Sequence, residues 1–126
     1  MTKIKLCGLS RPCDIRAANE LLPDYIGFVF APKSRRYVSP EKAAELKRML
    51  DPGIRAAGVF VDEKPQVIEA LVSRGVIDAV QLHGRENEDY IQDLRKRLGN
   101  TLIIQAFSIC SERDAKRAEA VSYTHL

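Results

Sequence analysis

Three kinds of side chain in this sequence could do chemistry: a thiol, a histidine and a group of cations. Cys7 ends a short apolar run and is followed by Gly8, and His83 ends another apolar run within QLHG. A cysteine acts chemically as its thiolate, and an imidazole exchanges protons near neutral pH. Arg36 belongs to the basic loop APKSRRYVSP at 31–40, and a guanidinium can hold a carboxylate or phosphate through two parallel hydrogen bonds.

Each of these candidates also has a purely structural interpretation. A cysteine at the end of a strand is most often a small buried hydrophobic residue, and a histidine there is often a hydrogen-bonded interior residue. A basic loop is often only a solvated surface. Cys13 and Cys110 stand at predicted helix starts, and we assign them no role. Residue types alone therefore leave both interpretations open.

The candidate residues lie in or next to strand-like segments, which recur along the chain with helix-like segments between them. Five segments rich in β-branched, aliphatic or aromatic residues are typical of strands, at 3–7, 25–30, 54–61, 78–83 and 101–107. Between them, apolar residues follow helical spacing. Three such stripes are Leu46, Met49 and Leu50; Val67, Ala70 and Leu71; and Ile91, Leu94 and Leu98. The order is (βα)5, which predicts a parallel sheet.

Helix starts and stops support this division. Ser39 followed by Pro40 predicts a capped start, and Ser111 with Asp114 resembles a capping box. Helix-breaking residues predict the stops: Pro23, Pro52 with Gly53, Gly75 and Gly99.

Two parallel architectures accommodate five such units: a complete doubly wound sheet of the flavodoxin type, or the first part of an eight-stranded barrel. Alternate residues of a strand share a face. By this parity, Lys5 shares a strand face with Cys7, Gln81 with His83, and Gln105 with Phe107. The opposite face of each strand carries apolar residues. In a doubly wound sheet both faces are buried, and each unpartnered polar group would cost about 1–3 kcal/mol. The parity therefore favours a barrel, whose inner face opens at the carboxyl ends of the strands.

Composition excludes several classes of function. The 126 residues are 45% apolar and 29% charged, which is typical of one soluble globular domain, with no membrane span and no signal peptide. A net charge of +3, spread among acidic residues, does not favour a nucleic-acid partner. The three scattered cysteines form neither a disulfide framework nor a zinc motif, so a reducing cytoplasm is expected. The chain has no GxGxxG and no Walker loop, so nothing supports a nucleotide cofactor.

Four segments together resemble the phosphoribosylanthranilate isomerase family of tryptophan biosynthesis: KLCGLSRPCD, GFVFAPKSRRYVSPEKA, GVFVDE and AVQLHGRE. The likeness runs over residues 3–119. Each of the short runs K-x-C-G, P-K-S-x-R and Q-L-H-G is weak evidence for the family by itself, but all three together in this order are very specific.

The resemblance implies a compact (βα)8 TIM barrel without cofactor or metal. It implies an Amadori rearrangement of N-(5-phosphoribosyl)anthranilate to 1-(2-carboxyphenylamino)-1-deoxyribulose 5-phosphate. By the same resemblance, Cys7 is the general base that takes the proton from the sugar C2, and Arg36 holds the anthranilate carboxylate. His83 and Gln81 line the pocket wall. The partner is thus a small phosphosugar-anthranilate substrate, not a nucleic acid or a membrane.

The family pattern is lost near the end of the chain. The family has an aspartate as general acid after its sixth strand and a phosphate site after strands seven and eight, but here RDAKRAEA is followed by VSYTHL. We therefore expect 1–120 to be the N-terminal part of the isomerase domain and 121–126 to be a non-native or truncated tail. The chain alone should then expose unpaired sheet edges, associate through them and lack isomerase activity.

Two alternatives remain open at this point. One is a flavodoxin-like, non-catalytic binding module, in which strand 1 pairs with strand 3. The other is a fragment completed by a separate chain that carries the remaining strands.

Overall fold

A computed structural model describes residues 3–105 of the chain. Five strands and four helices alternate within this range: β1 (Lys5–Cys7), α1 (Pro12–Leu21), β2 (Tyr25–Val29), α2 (Pro40–Met49), β3 (Arg55–Phe60), α3 (Pro65–Ser73), β4 (Ala79–Leu82), α4 (Glu88–Leu98) and β5 (Leu102–Gln105). The expectations for Phe107, Cys110, Ser111 with Asp114, and the tail at 121–126 lie outside the described residues.

The five strands form one parallel sheet in the order β1-β2-β3-β4-β5. β1 pairs with β2 and not with β3, so the flavodoxin-like order is excluded and the barrel order is confirmed. Within the described residues the sheet is not closed: β1 pairs only with β2, and β5 only with β4.

The pairing register defines two faces of this sheet. Cys7 lies beside Gly27, and Gln81 lies beside Val59; we call the face that carries these residues and Lys5 the inner face. The opposite, helix-covered face packs into the core through residues such as Phe28, Phe60, Val80 and Leu82. The parity predicted for β1 and β4 is therefore confirmed, because Lys5, Cys7 and Gln81 share the inner face.

The parity predicted for β5 is wrong. Ile104 lies beside Gln81 and Gln105 lies beside Leu82, so Ile104 is on the inner face and Gln105 is on the helix-covered side. Three consecutive aliphatic residues precede Gln105, and they carry no alternation from which the phase of the strand could be read. The burial of Ile103 in the core, at 3% exposure, decides the phase.

The predicted helix stripes are partly confirmed. In α4, Ile91, Leu94 and Leu98 are all buried, as the spacing predicts. In α2, Leu46 is buried, and so is Leu50, which follows the last helical residue, but Met49 is exposed.

The stripe predicted for α3 has the wrong phase. Ile68 and Leu71 are buried, whereas Val67 and Ala70 are exposed. The segment PQVIEALVS is apolar on more than one side, so the spacing alone does not select the buried face.

Helix α2 begins and α4 ends where the sequence predicts. The Ser39 hydroxyl accepts the Lys42 backbone N–H at 3.1 Å, with Pro40 in the first turn, and Gly99 ends α4 with a φ of 60°. No described helix is long and apolar enough to cross a bilayer.

Candidate active site

Cys7 lies at the carboxyl end of β1 on the inner face, and its free thiol is exposed. Its neighbour in register is Gly27 of β2. A Cβ at residue 27 would lie 2.9 Å from Cys7 Sγ and 3.2 Å from Lys5 Cε. Glycine therefore leaves the space that the thiol and the lysine stem occupy. The exposure of Cys7 does not fit the interpretation as a buried hydrophobic residue.

Arg36 lies directly against the residue that follows Cys7. Gly8 has a φ of 81°, and a Cβ there would lie 2.3 Å from Arg36 Cδ and 3.0 Å from its Nη1. The N–H groups of Gly8 and Leu9 both donate to the Gly27 carbonyl, at 3.0 and 3.2 Å. These bonds hold the chain after Cys7 close to β2. The thiol and the guanidinium are thus at the same end of the sheet.

The loop that carries Arg36 is held by its own hydrogen bonds. The Ser34 N–H donates to the Ala31 carbonyl at 3.0 Å, and the Arg36 N–H donates to the Ser34 hydroxyl at 3.1 Å. The Val38 N–H then donates to the Val29 carbonyl at 3.0 Å, which returns the loop to the end of β2. Within residues 3–105 no carboxylate forms an ion pair with Arg36.

Lys5 and Gln81 connect the first and fourth strands across the inner face. Lys5 Nζ donates a hydrogen bond to Gln81 Oε1, and both side chains are half-buried. The intervening strands present Gly27 and Ala57 between them. These small residues leave room for the lysine stem, so Gln81 is held in place on the inner face by a partner 76 residues away in the chain.

His83 lies just beyond β4, at the same carboxyl end as Cys7. Its backbone N–H donates to the Phe60 carbonyl at 2.9 Å, which continues the β3–β4 ladder by one residue. The side chain is exposed, so His83 is not a buried interior histidine.

Phe30 follows β2 at the carboxyl end of the sheet, but its side chain lies in the core and not at the candidate site. Its ring is 5% exposed and stacks on Phe60 with centroids 5.2 Å apart, so it belongs to the core under the helices. Val61, in contrast, is exposed.

Glu86, the last residue of AVQLHGRE, has no role predicted from the sequence, and it is a buried carboxylate near this site. It is 4% exposed, and its oxygens accept the backbone N–H groups of Asp62 at 2.9 Å and Gly84 at 3.0 Å. The neighbouring Tyr90 hydroxyl donates to the Glu63 carbonyl. Burial, and next the negative charge of Glu86, raise the pKa of Tyr90 well above its usual value.

The described residues contain no group of three or more His, Cys, Asp or Glu side chains that could hold a metal ion. The candidate site therefore consists of a thiol, a guanidinium, an exposed imidazole and a lysine–glutamine pair at the carboxyl end of the sheet.

Comparison with known proteins places the chain in a family. The family model for N-(5'-phosphoribosyl)anthranilate (PRA) isomerase matches residues 4–126. The chain belongs to this family. The isomerase of Thermoanaerobacter sp. (strain X514) is 40% identical over 119 residues, which is 94% of this chain and 56% of that protein. The chain thus spans about half the length of the curated relatives that it matches.

Solved structures of the family share the fold. A phosphoribosyl anthranilate isomerase in complex with reduced 1-(o-carboxyphenylamino)-1-deoxyribulose 5-phosphate has a TM-score of 0.85 and is 38% identical, covering 98% of this chain and 61% of that one. The Thermotoga maritima isomerase has a TM-score of 0.85 at 37% identity, covering 98% of this chain and 58% of that one. The five strands are thus successive strands of a TIM-barrel-type sheet.

Proposed function

We propose that this chain supplies the base and the carboxylate-binding cation of a phosphoribosylanthranilate isomerase. The reaction is the Amadori rearrangement of N-(5-phosphoribosyl)anthranilate to 1-(2-carboxyphenylamino)-1-deoxyribulose 5-phosphate. We assign it to a protein in which residues 1–120 form the N-terminal part of the barrel and further βα units complete it. The setting is cytoplasmic, and the partner is the small-molecule substrate.

One observation carries the proposal: the Arg36 stem crosses the backbone of Gly8, the residue that follows Cys7. The cation that binds the anthranilate carboxylate and the base that acts on the sugar carbon can be no farther apart than the substrate is long. The solved relative bound to a reduced carboxyphenylamino-deoxyribulose phosphate supports the same substrate class for this chain. His83 and Gln81 are proposed to line the wall between these two groups.

The proposed steps conserve atoms and charge. The bond between C1 and the ring oxygen breaks as a general acid protonates that oxygen, which leaves an iminium group at C1. The Cys7 thiolate then takes the proton from C2 and produces an enolamine. Loss of the C2 hydroxyl proton and delivery of a proton to C1 complete the 1-amino-2-ketose. By the family resemblance, the proposed general acid belongs to the end of a sixth strand, outside the described residues.

The described residues contribute to this chemistry mainly by holding the Cys7 thiol and the Arg36 guanidinium in position. A thiol is basic only as the thiolate, and it must lie within hydrogen-bond reach of the C2 proton. Gly27 leaves the inner face open in front of Cys7 Sγ. A charge-assisted hydrogen bond from Arg36 to the anthranilate carboxylate would fix the other end of the substrate.

The test is Cys7→Ala in the full-length enzyme, with Cys13→Ala as the matched control, since both thiols are free and exposed. Loss of the base should lower kcat by about 10²–10⁴-fold and change KM little. Turnover is followed through the fluorescence of the anthranilate group, and growth of a tryptophan auxotroph provides a second readout. Full activity of the Cys7→Ala enzyme would contradict the proposed mechanism.

A further inference from the structure

The buried carboxylate of Glu86 has no role in the proposed reaction, and it is the only charged residue found buried among the described residues. A buried carboxylate is costly unless it is hydrogen-bonded or paired. Within residues 3–105, Glu86 forms no ion pair with a lysine or arginine. Its partners are the Asp62 and Gly84 N–H groups, at 2.9 and 3.0 Å.

These hydrogen bonds join the loops that follow β3 and β4. Asp62 belongs to the first loop, and its own carboxylate accepts the N–H of Arg85 in the second loop at 2.9 Å. The end of β5 joins them, because Gln105 Nε2 donates to the Glu86 carbonyl at 3.2 Å. The carboxyl ends of three successive strands therefore meet at Glu86.

Two positions of the junction are sterically constrained. Asp62 has a φ of 50°, which is uncommon for a residue with a side chain. A Cβ at Gly84 would lie 2.6 Å from Asp62 Oδ1 and 2.9 Å from Glu86 Oε2, so only glycine fits there. Gly84 is the residue that directly follows His83. The bond from Gly84 N–H to Glu86 thus holds the backbone on one side of His83, and the ladder bond to Phe60 holds it on the other.

We propose that Glu86 is a positioning residue that fixes the His83 imidazole at the pocket wall by holding the loops after β3 and β4 together. It does not touch the substrate and acts through the backbone of Gly84 and Asp62. This inference rests on the proposed function. Misplacing a substrate-contacting group by about 1 Å can cost up to about 10²-fold in rate.

The first test is Glu86→Gln in the full-length enzyme, with Glu88→Gln as the matched control. The amide has nearly the same shape, but it keeps one acceptor and turns an NH₂ group toward a backbone N–H. We expect kcat/KM to fall at least tenfold for Glu86→Gln. The exposed Glu88, at the start of α4, should tolerate the same change with less than a twofold effect. Equal activity of the two variants would overturn the inference.

A kinetic double-mutant cycle separates positioning of His83 from a general loss of structure. If Glu86 acts through His83, the Glu86→Gln effect on kcat/KM should fall below twofold in a His83→Ala background. If the two effects multiply, Glu86 does not act through His83, and the inference is wrong.

A second pair of variants keeps the test decisive if Glu86→Gln does not fold. Asp62→Asn keeps the acceptor for the Arg85 N–H, whereas Asp62→Gly removes it, and both residues tolerate positive φ. We expect only Asp62→Gly to lower kcat/KM, and equal values for the two would count against the inference. An inactive wild-type enzyme would instead overturn the proposed function, while an active enzyme that is indifferent to all these changes would overturn the inference alone.

Discussion

Two glycines decide where the candidate reactive side chains can lie. Gly27 leaves room for the thiol of Cys7 and the stem of Lys5, and Gly8 lets the stem of Arg36 cross the backbone. Cys7 and Arg36 are candidates because of their residue types and the family resemblance. Their approach to each other depends on these glycines, and no local pattern of residues indicates such a role.

At the residue scale, Arg36→Ala should weaken substrate binding. Loss of a charge-assisted, two-pronged contact costs about 1.5–3 kcal/mol, so KM should rise roughly 10- to 100-fold while kcat falls less. Steady-state kinetics of the full-length enzyme measures both. The adjacent Arg35 is exposed, and Arg35→Ala is the matched control. An unchanged KM in Arg36→Ala would remove the carboxylate assignment.

At the scale of single elements, helix ends show how local chemistry determines local structure. The start of α2 is visible in the sequence as Ser39 with Pro40. The start of α1 is less visible, because Arg11 occupies the N-cap and the useful side chain is Asp14, three residues later. Its Oδ2 accepts the N–H groups of Ser10 and Arg11, both at 3.1 Å. The Ser10 hydrogen bond, and next those from Arg11, hold the pKa of Asp14 below its usual value of 3.8.

This cap predicts a definite pH dependence. Because the pKa is lowered in the folded state, the ionised Asp14 stabilises the fold above about pH 4, and this contribution is lost as the pH falls through the lowered value. Asp14→Ala should therefore cost about 1 kcal/mol at pH 7, the usual size of a capping interaction. The difference from wild type should shrink between pH 4 and pH 2.

Urea unfolding of the full-length enzyme, followed by circular dichroism at several pH values, measures this difference. Glu45 is exposed on α2 and forms no ion pair within residues 3–105, so Glu45→Ala is a suitable control. A difference for Asp14→Ala that stays constant down to pH 2 would contradict the cap.

At the scale of the whole molecule, the described sheet is open along β1 and β5. Along β5 the inner face carries two exposed apolar side chains, Leu102 at 44% and Ile104 at 37% exposure. Unpaired strand edges with apolar neighbours are templates for association with another chain. The family relationship implies that further strands cover these edges in the complete barrel.

A polypeptide of these 126 residues alone should therefore associate as its concentration rises and should not turn over substrate. Light scattering coupled to size-exclusion chromatography measures the first, and the fluorescence assay measures the second. Co-expression with a chain that carries the remaining barrel strands should reduce the association and restore turnover. A monomer that melts cooperatively and isomerises substrate by itself would disprove this expectation.

The sequence by itself determined the alternation of strands and helices, the start of α2, the end of α4 and the candidate residues of the site. These properties depend on neighbours within a few positions, through capping, turn chemistry and the spacing of apolar residues. The tertiary structure decided the phase of β5, the buried side of α3 and the burial of Glu86. These depend on partners distant in the chain: Ile104 of β5 lies beside Gln81 of β4, and the Asp62 N–H donates to Glu86 24 residues away. A segment that is apolar on several sides has no preferred face until the packing of the rest of the chain selects one.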